Sequence, residues 1–198
     1  MIRALAGVLA VAVAATISTR LAITMRDFDD DLPGAVWNIY RFFTVWTNTL
    51  VGIVAGWIAL GGRSPVWVTA GLALAIAIVG GVYHAVLAQL VSYEGVAWVV
   101  DQMVHTVVPL AFIALWAFGL PKRGLRIGHI GTWLAYPMVY CVYAIARGAT
   151  DGIYPYPFLN VAELGAAGVA VNVVGLICVF AVGGLIILGL ARVLPNRA

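Results

Sequence analysis

This sequence is short of charge. Only 10% of its 198 residues are charged, 11 basic against 8 acidic, while 64% are hydrophobic. A soluble domain carries about 25% charged residues, so a chain this poor in them has too little polar surface to cover a water-exposed globule. Cysteine is scarcer still, with two residues. Cys141 and Cys178 fall inside apolar runs, at depths that differ too much for a disulfide, and neither a CxxC pair nor a zinc-ligand pattern is present. No basic tail, low-complexity stretch, soluble domain or internal repeat stands out. The net charge of +3 therefore says less about partners than the places where the charges sit, and no nucleic-acid partner is expected.

What the chain does have is long apolar runs. A membrane-crossing helix needs about 20 apolar residues. Six stretches qualify, at 4–24, 39–60, 66–91, 98–120, 129–147 and 165–190. They predict an all-α, polytopic transmembrane bundle of six spans forming one domain over 1–198. Breakers separate them: Leu32-Pro33-Gly34, Gly61-Gly62-Arg63-Ser64-Pro65, Pro121-Lys122-Arg123-Gly124, and the segment from Gly148 to Asn160. With the N-terminus inside, Arg3, Arg63, Lys122, Arg123, Arg126, Arg192 and Arg197 are cytoplasmic, seven of the 11 basic residues. Every acidic residue then falls outside or at an outer helix end: Asp27, Asp29, Asp30, Asp31, Glu94, Asp101, Asp151 and Glu163. The positive-inside rule selects this orientation, with both termini cytoplasmic. Arg3 followed by an apolar run and Ala12-Val13-Ala14 resembles a cleavable signal peptide, but the run continues to Ile23, which favours a retained helix.

Ionisable groups within spans are costly and are functional suspects. The second span enters from outside and places Tyr40, Thr44, Thr47 and Asn48 on one face by helical spacing. The fourth enters from the same side and carries Asp101 and His105, four residues apart. The third carries His84 near its outer end, on a stripe of small residues (Ala73, Ala77, Gly81, Ala88) of the kind that lets helices approach closely. At 1.5 Å per residue, Thr44 lies roughly 6–10 Å below the outer end of its helix, His105 roughly 10 Å and His84 roughly 10–13 Å. A hydroxyl, an imidazole and a carboxylate at one depth suit nucleophilic catalysis, because a threonine needs a base and the base needs an orienting partner. The bland readings are a threonine bonded to its own helix, packed histidines and an interfacial aspartate.

Other features carry their own alternatives. In the fifth span Tyr136, Tyr140, Tyr143 and Arg147 share a face. They read either as an aromatic belt with an outer arginine or as a site at which Arg147 holds a lipid carboxylate or phosphate. Tyr154-Pro155-Tyr156-Pro157-Phe158 is barred from regular helix by its prolines and reads as a stiff outer cap, either a lid or a connection. Gly165, Gly168, Asn172 and Gly175 in the last span read as a packing stripe. His84 and His105 also suggest axial ligands of a b-type haem. A lipid binder or transporter without chemistry is the remaining alternative, with transport disfavoured by the lack of internal symmetry.

Three motifs occur in order: Tyr40-Arg41-Phe42-Phe43-Thr44-Val45-Trp46-Thr47-Asn48, Met103-Val104-His105-Thr106-Val107-Val108-Pro109 and Tyr154-Pro155-Tyr156-Pro157-Phe158-Leu159. Together, on six apolar stretches, they resemble the androgen-induced protein / FAR-17a-like membrane family, and especially its bacterial branch, called Pr6Pr membrane proteins. The resemblance runs from the second span to the start of the sixth. It implies an intramembrane hydrolase of fatty acid esters of hydroxy fatty acids with a threonine nucleophile, matched here by Thr44, and a histidine, matched by His105. The Tyr-Pro-Phe part of the animal motif matches Tyr156, Pro157 and Phe158. Asp101 stands where animal members have asparagine, so its role is not inherited, and His84 has no counterpart.

The sequence thus predicts a lipid esterase of the bacterial inner membrane. Thr44 attacks and His105 is the base. Asp101 or Asn48 orients His105 or steadies the oxyanion, and His84, Tyr40, Arg147 and Tyr156 support the site or bind substrate. The partner is a lipid ester entering from the outer leaflet. No metal and no cofactor is expected, and the oligomeric state is left open.

Overall fold

The computed structural model describes residues 1–29 and 31–196; Asp30 and Arg197, two of the charges used for orientation, lie outside the described residues. Every regular element among the described residues is helical: α1 (Ile2–Arg26), α2 (Leu32–Ile39), α3 (Phe43–Ala59), α4 (Val66–Val82), α5 (Gly95–Gln102), α6 (Val108–Gly119), α7 (His129–Asp151) and α8 (Val161–Val193). Four stretches are long and apolar enough to cross a membrane: Ile2–Arg26, Val66–Leu90, Gly95–Gly119 and Val161–Val193. The pair α2 and α3 makes a fifth if its two halves, bent by 97°, count as one span. Exposed tryptophans lie near helix ends, Trp37 in α2, Trp57 in α3, Trp67 in α4 and Trp98 in α5, where amphipathic rings favour a membrane–water boundary.

The chain forms two compact units, one of residues 1–125 with 191–198 and one of residues 126–190. In the first, α1 packs along α3 and α4 along α6. Small residues set the α1–α3 distance: a Cβ on Gly52 would lie 2.9 Å from Val13 Cγ1. The buried face of α4 contains Ala73, Ile76, Gly80 and Tyr83 at its end, not the predicted stripe through Ala77, Gly81 and His84. A strict four-residue step drifts about 40° around the helix each time. The stripe read from it therefore leaves the packed face within two steps, and Gly81 and His84 are exposed.

Two details of the connections differ from the prediction. Pro33 sits in the first turn of α2, where its missing N–H costs nothing, and Asp31 caps the helix by accepting from Gly34 N at 3.0 Å. Lys122, read as a cytoplasmic loop charge, is buried. Its Nζ donates to Leu120 O (2.9 Å) and Pro195 O (2.8 Å) and lies 5.4 Å from the centre of the Trp116 ring. Burial pushes the amine below the usual lysine range.

In the second unit α7 runs to Asp151 and ends on Gly152 in the left-handed conformation, φ 74. The segment after it is non-helical, as its prolines require, apart from one tight turn at Pro157–Leu159. Within the second unit the members of the predicted glycine stripe are placed differently from one another, Gly168 and Asn172 half-buried and Gly165 and Gly175 exposed. Gly165 (φ 67) interrupts α8, a Cβ on Gly165 or Gly175 would meet nothing within 4 Å, and Asn172 donates to Phe158 O at 2.9 Å.

Candidate active site

The site is assembled where three helices deviate from regularity. The chain bends at Tyr40–Phe42, so α3 begins at Phe43 and Thr44 occupies its first turn. The first backbone bond closing that turn is Val45 N to Phe42 O at 3.1 Å. The N–H groups before it have no acceptor inside the helix. Thr44, Thr47 and Asn48 are buried.

His105 lies in a π turn, Met103–Val107, between α5 and α6. Pro109 supplies a cause. It has no N–H to give to His105 O four residues back, and its ring crowds that carbonyl; one wider turn relieves both. The freed carbonyl faces Gly80 of α4, where a Cβ would stand 3.0 Å from His105 O. A second π turn, Tyr83–Leu87, follows α4; nothing in its sequence marks it.

These irregular turns bring Thr44, His105 and Asp101 into one chain. Thr44 Oγ1 is 3.3 Å from His105 Nε2. His105 Nδ1 is 3.1 Å from both the backbone oxygen and Oδ1 of Asp101. The backbone oxygen can only accept, so Nδ1 carries the proton and, in the neutral ring, Nε2 is left as the acceptor for the Thr44 hydroxyl. Asp101 is 7% and His105 14% exposed, so the ring is largely withdrawn from its surroundings. This is the geometry of a hydroxyl poised to lose its proton to a base whose orientation is fixed from behind.

The remaining expected residues are placed less favourably. The amide nitrogen of Asn48 is engaged with backbone: it donates to Thr44 O (2.8 Å) and Val104 O (3.1 Å), tying α3 to the π turn. Tyr40 is not on the face of Thr44, because the bend separates them; its hydroxyl pairs with Thr49 Oγ1 at 3.2 Å. His84 is exposed and its Nε2 lies 2.9 Å from Thr106 Oγ1, which donates to Gln102 Oε1 at 3.0 Å. With both Nε2 atoms already paired, the haem reading gains nothing from the geometry. Arg147 and Tyr156 belong to the second unit. Arg147 is buried, donates to Tyr143 OH at 2.7 Å and lies 3.5 Å from Asp151. Tyr156 packs against Tyr140, with ring centres 6.3 Å apart, and stacks on Phe158 at 5.1 Å. Among the described residues no group of three or more metal-binding side chains occurs.

Sequence reading missed Tyr83 and Gln102. Tyr83 donates to Asp101 Oδ2, and Gln102 Nε2 lies 3.5 Å from both groups. The available signal was spacing, since Gln102 neighbours Asp101 and precedes Thr106 by one turn. No family model, curated protein or solved structure matches the chain.

Proposed function

We propose that this chain is an intramembrane hydrolase of lipid esters, of the kind that cleaves fatty acid esters of hydroxy fatty acids. The observation that carries the reading is the run Thr44 Oγ1–His105 Nε2 at 3.3 Å and His105 Nδ1–Asp101 Oδ1 at 3.1 Å. Three groups from two separate parts of the chain meet in the order that nucleophilic catalysis needs. The motifs that resemble those of the androgen-induced protein family single out the same threonine and histidine.

In this mechanism His105 Nε2 takes the Thr44 proton as Thr44 Oγ1 bonds to the ester carbonyl carbon. The tetrahedral centre collapses, the carbon–oxygen bond to the alcohol breaks, and the imidazolium returns the proton to the departing oxygen. Water, activated by the same nitrogen, then releases the fatty acid from Thr44. The Thr44 hydroxyl stands at the start of α3, where the positive end of the helix dipole favours a developing oxyanion. The bilayer delivers the substrate from the outer leaflet, and water enters from that side.

This reading includes six crossings with both termini cytoplasmic, in a bacterial inner membrane. α2 and α3 form the second and α7 the fifth. At 23 residues, α7 is about 34 Å long, enough for the hydrocarbon core. It is too polar by composition to be counted among the apolar helices, but Tyr140 and Arg147 are buried while Val139 and Val142 are exposed.

The test is labelling with a lipophilic fluorophosphonate probe. Wild type should be labelled; Thr44→Ala should not be, and His105→Ala should be labelled at least about a hundredfold more slowly, the usual size of a general base's contribution. Absence of labelling in folded wild type would discard catalysis in favour of lipid binding.

A further inference from the structure

Tyr83 is buried, 5% exposed, and the reaction above gives it no task. It opens the π turn that ends α4, and its aromatic ring lies flat on the imidazole of His105. The ring centres are 3.9 Å apart and the planes 5° from parallel. Its hydroxyl donates to Asp101 Oδ2, the carboxylate oxygen that does not face His105. One side chain therefore touches both members of the base pair, each on the side that the other leaves open.

Hydrogen bonds alone leave two motions free. An imidazole held at Nδ1 can still swing about its bond to the backbone side, carrying Nε2 away from Thr44. A carboxylate held firmly at Oδ1, with only the long 3.5 Å contact from Gln102 Nε2 at Oδ2, can still rotate. The stacked ring blocks the first motion by contact, and the hydroxyl blocks the second by occupying Oδ2. When the imidazole takes a proton it becomes a cation lying against an electron-rich aromatic face, a favourable arrangement.

We propose that Tyr83 is a positioning residue of this site: its hydroxyl sets the rotation of Asp101 and its ring sets the plane of His105. The hydrolytic consequence rests on the reading of His105 as a base; the positional claim does not. Simple filling of space would be served equally well by any apolar side chain of similar size.

The experiment uses the whole chain in detergent, as wild type, Tyr83→Phe, Tyr83→Leu and His105→Gln, with circular dichroism and size-exclusion elution checking the fold. The first measurement is the ring-nitrogen NMR spectrum of histidine-labelled protein, with His105 assigned by its loss in His105→Gln. Wild type should show one Nδ1–H tautomer at His105, Tyr83→Leu a mixture, and Tyr83→Phe an intermediate. The same single tautomer in all three would overturn the proposal whether or not the protein hydrolyses anything. The second measurement is steady-state hydrolysis of a fatty acid ester of a hydroxy fatty acid. Tyr83→Phe should lower kcat about tenfold, the size of one hydrogen bond to a charged group, with KM unchanged. Tyr83→Leu, losing the stack as well, should fall further, so that phenylalanine partly rescues it. Raised KM with intact kcat would overturn the proposal by making Tyr83 a substrate contact. Equal losses in the two variants would remove the ring from it. A tautomer shift in a protein that hydrolyses nothing would uphold the positioning and discard the esterase reading.

Discussion

A carboxamide has two N–H donors, and at Asn48 both are directed at backbone carbonyls, Thr44 O and Val104 O. Those two acceptors fix the amide the right way round, since turning it would set an oxygen against two oxygens; its buried Oδ1 has no partner among the described residues. Two roles can thus be separated. An oxyanion donor replaced by alanine costs rate and leaves stability alone. A clamp replaced by alanine leaves Val104 O unpaired in the interior and should lower unfolding stability by about 1–3 kcal/mol. Asn48→Ala is expected to behave as a clamp, with a lowered melting temperature in detergent and a smaller loss of probe labelling; unchanged melting with abolished labelling would restore the oxyanion role. At this scale much was legible. Thr44, His105 and Asp101 announced themselves as polar groups in apolar runs, and helical spacing placed Asp101 and His105 together. Tyr83 did not, because a tyrosine near a helix end reads as a boundary residue, and only the contact with His105 distinguishes it.

The elements that build the site are irregular, and irregularity is what periodicity cannot see. A regular second span put Tyr40 on the Thr44 face, and the 97° bend removed it. The π turn at Met103–Val107 has a readable cause in Pro109, four residues after His105, although proline alone does not say whether a helix will kink, break or widen. This makes Pro109 a lever. Pro109→Ala supplies the missing N–H to His105 O and removes the ring that crowds it. The turn is then free to close to ordinary helix, which would rotate His105 relative to Asp101 and Thr44. The expected outcome is unfolding stability equal to or above wild type, with probe labelling reduced at least about tenfold, as small misplacements of catalytic groups usually cost. Such a split is the mark of strain kept for function. Full labelling in a stable Pro109→Ala protein would show that the π turn is not needed to aim the imidazole.

For the whole molecule, composition pointed away from a soluble globule, and the apolar runs overlap every long helix among the described residues, because membrane insertion depends on summed hydropathy that a single sequence displays. The number of crossings is harder: the run 129–147 reads as a span, yet α7 is not among the helices apolar enough to cross, and α2 with α3 counts only if the bent pair is one span. The tyrosines and Arg147 of α7 lower its mean apolarity, yet a helix that turns its polar side chains inward presents lipid with a face far more apolar than its composition. If α7 crosses, its two ends lie on opposite sides of the membrane. If it lies at the surface, they lie on one side, and the number of crossings changes parity, so that the termini separate. Ile127 and Ile153 flank α7 and are 73% and 57% exposed, which makes them suitable for single-cysteine variants in a Cys141→Ala, Cys178→Ala background. With a membrane-impermeant maleimide on intact cells, Ile153→Cys should react and Ile127→Cys should react only after permeabilisation, as the proposed orientation, which puts the basic cluster Lys122, Arg123 and Arg126 inside, expects. Reaction of both, or of neither, in intact cells would leave α7 outside the set of crossings. The reverse pattern would keep α7 as a crossing but turn the protein over, placing Thr44 and His105 toward the cytoplasmic leaflet and its lipids.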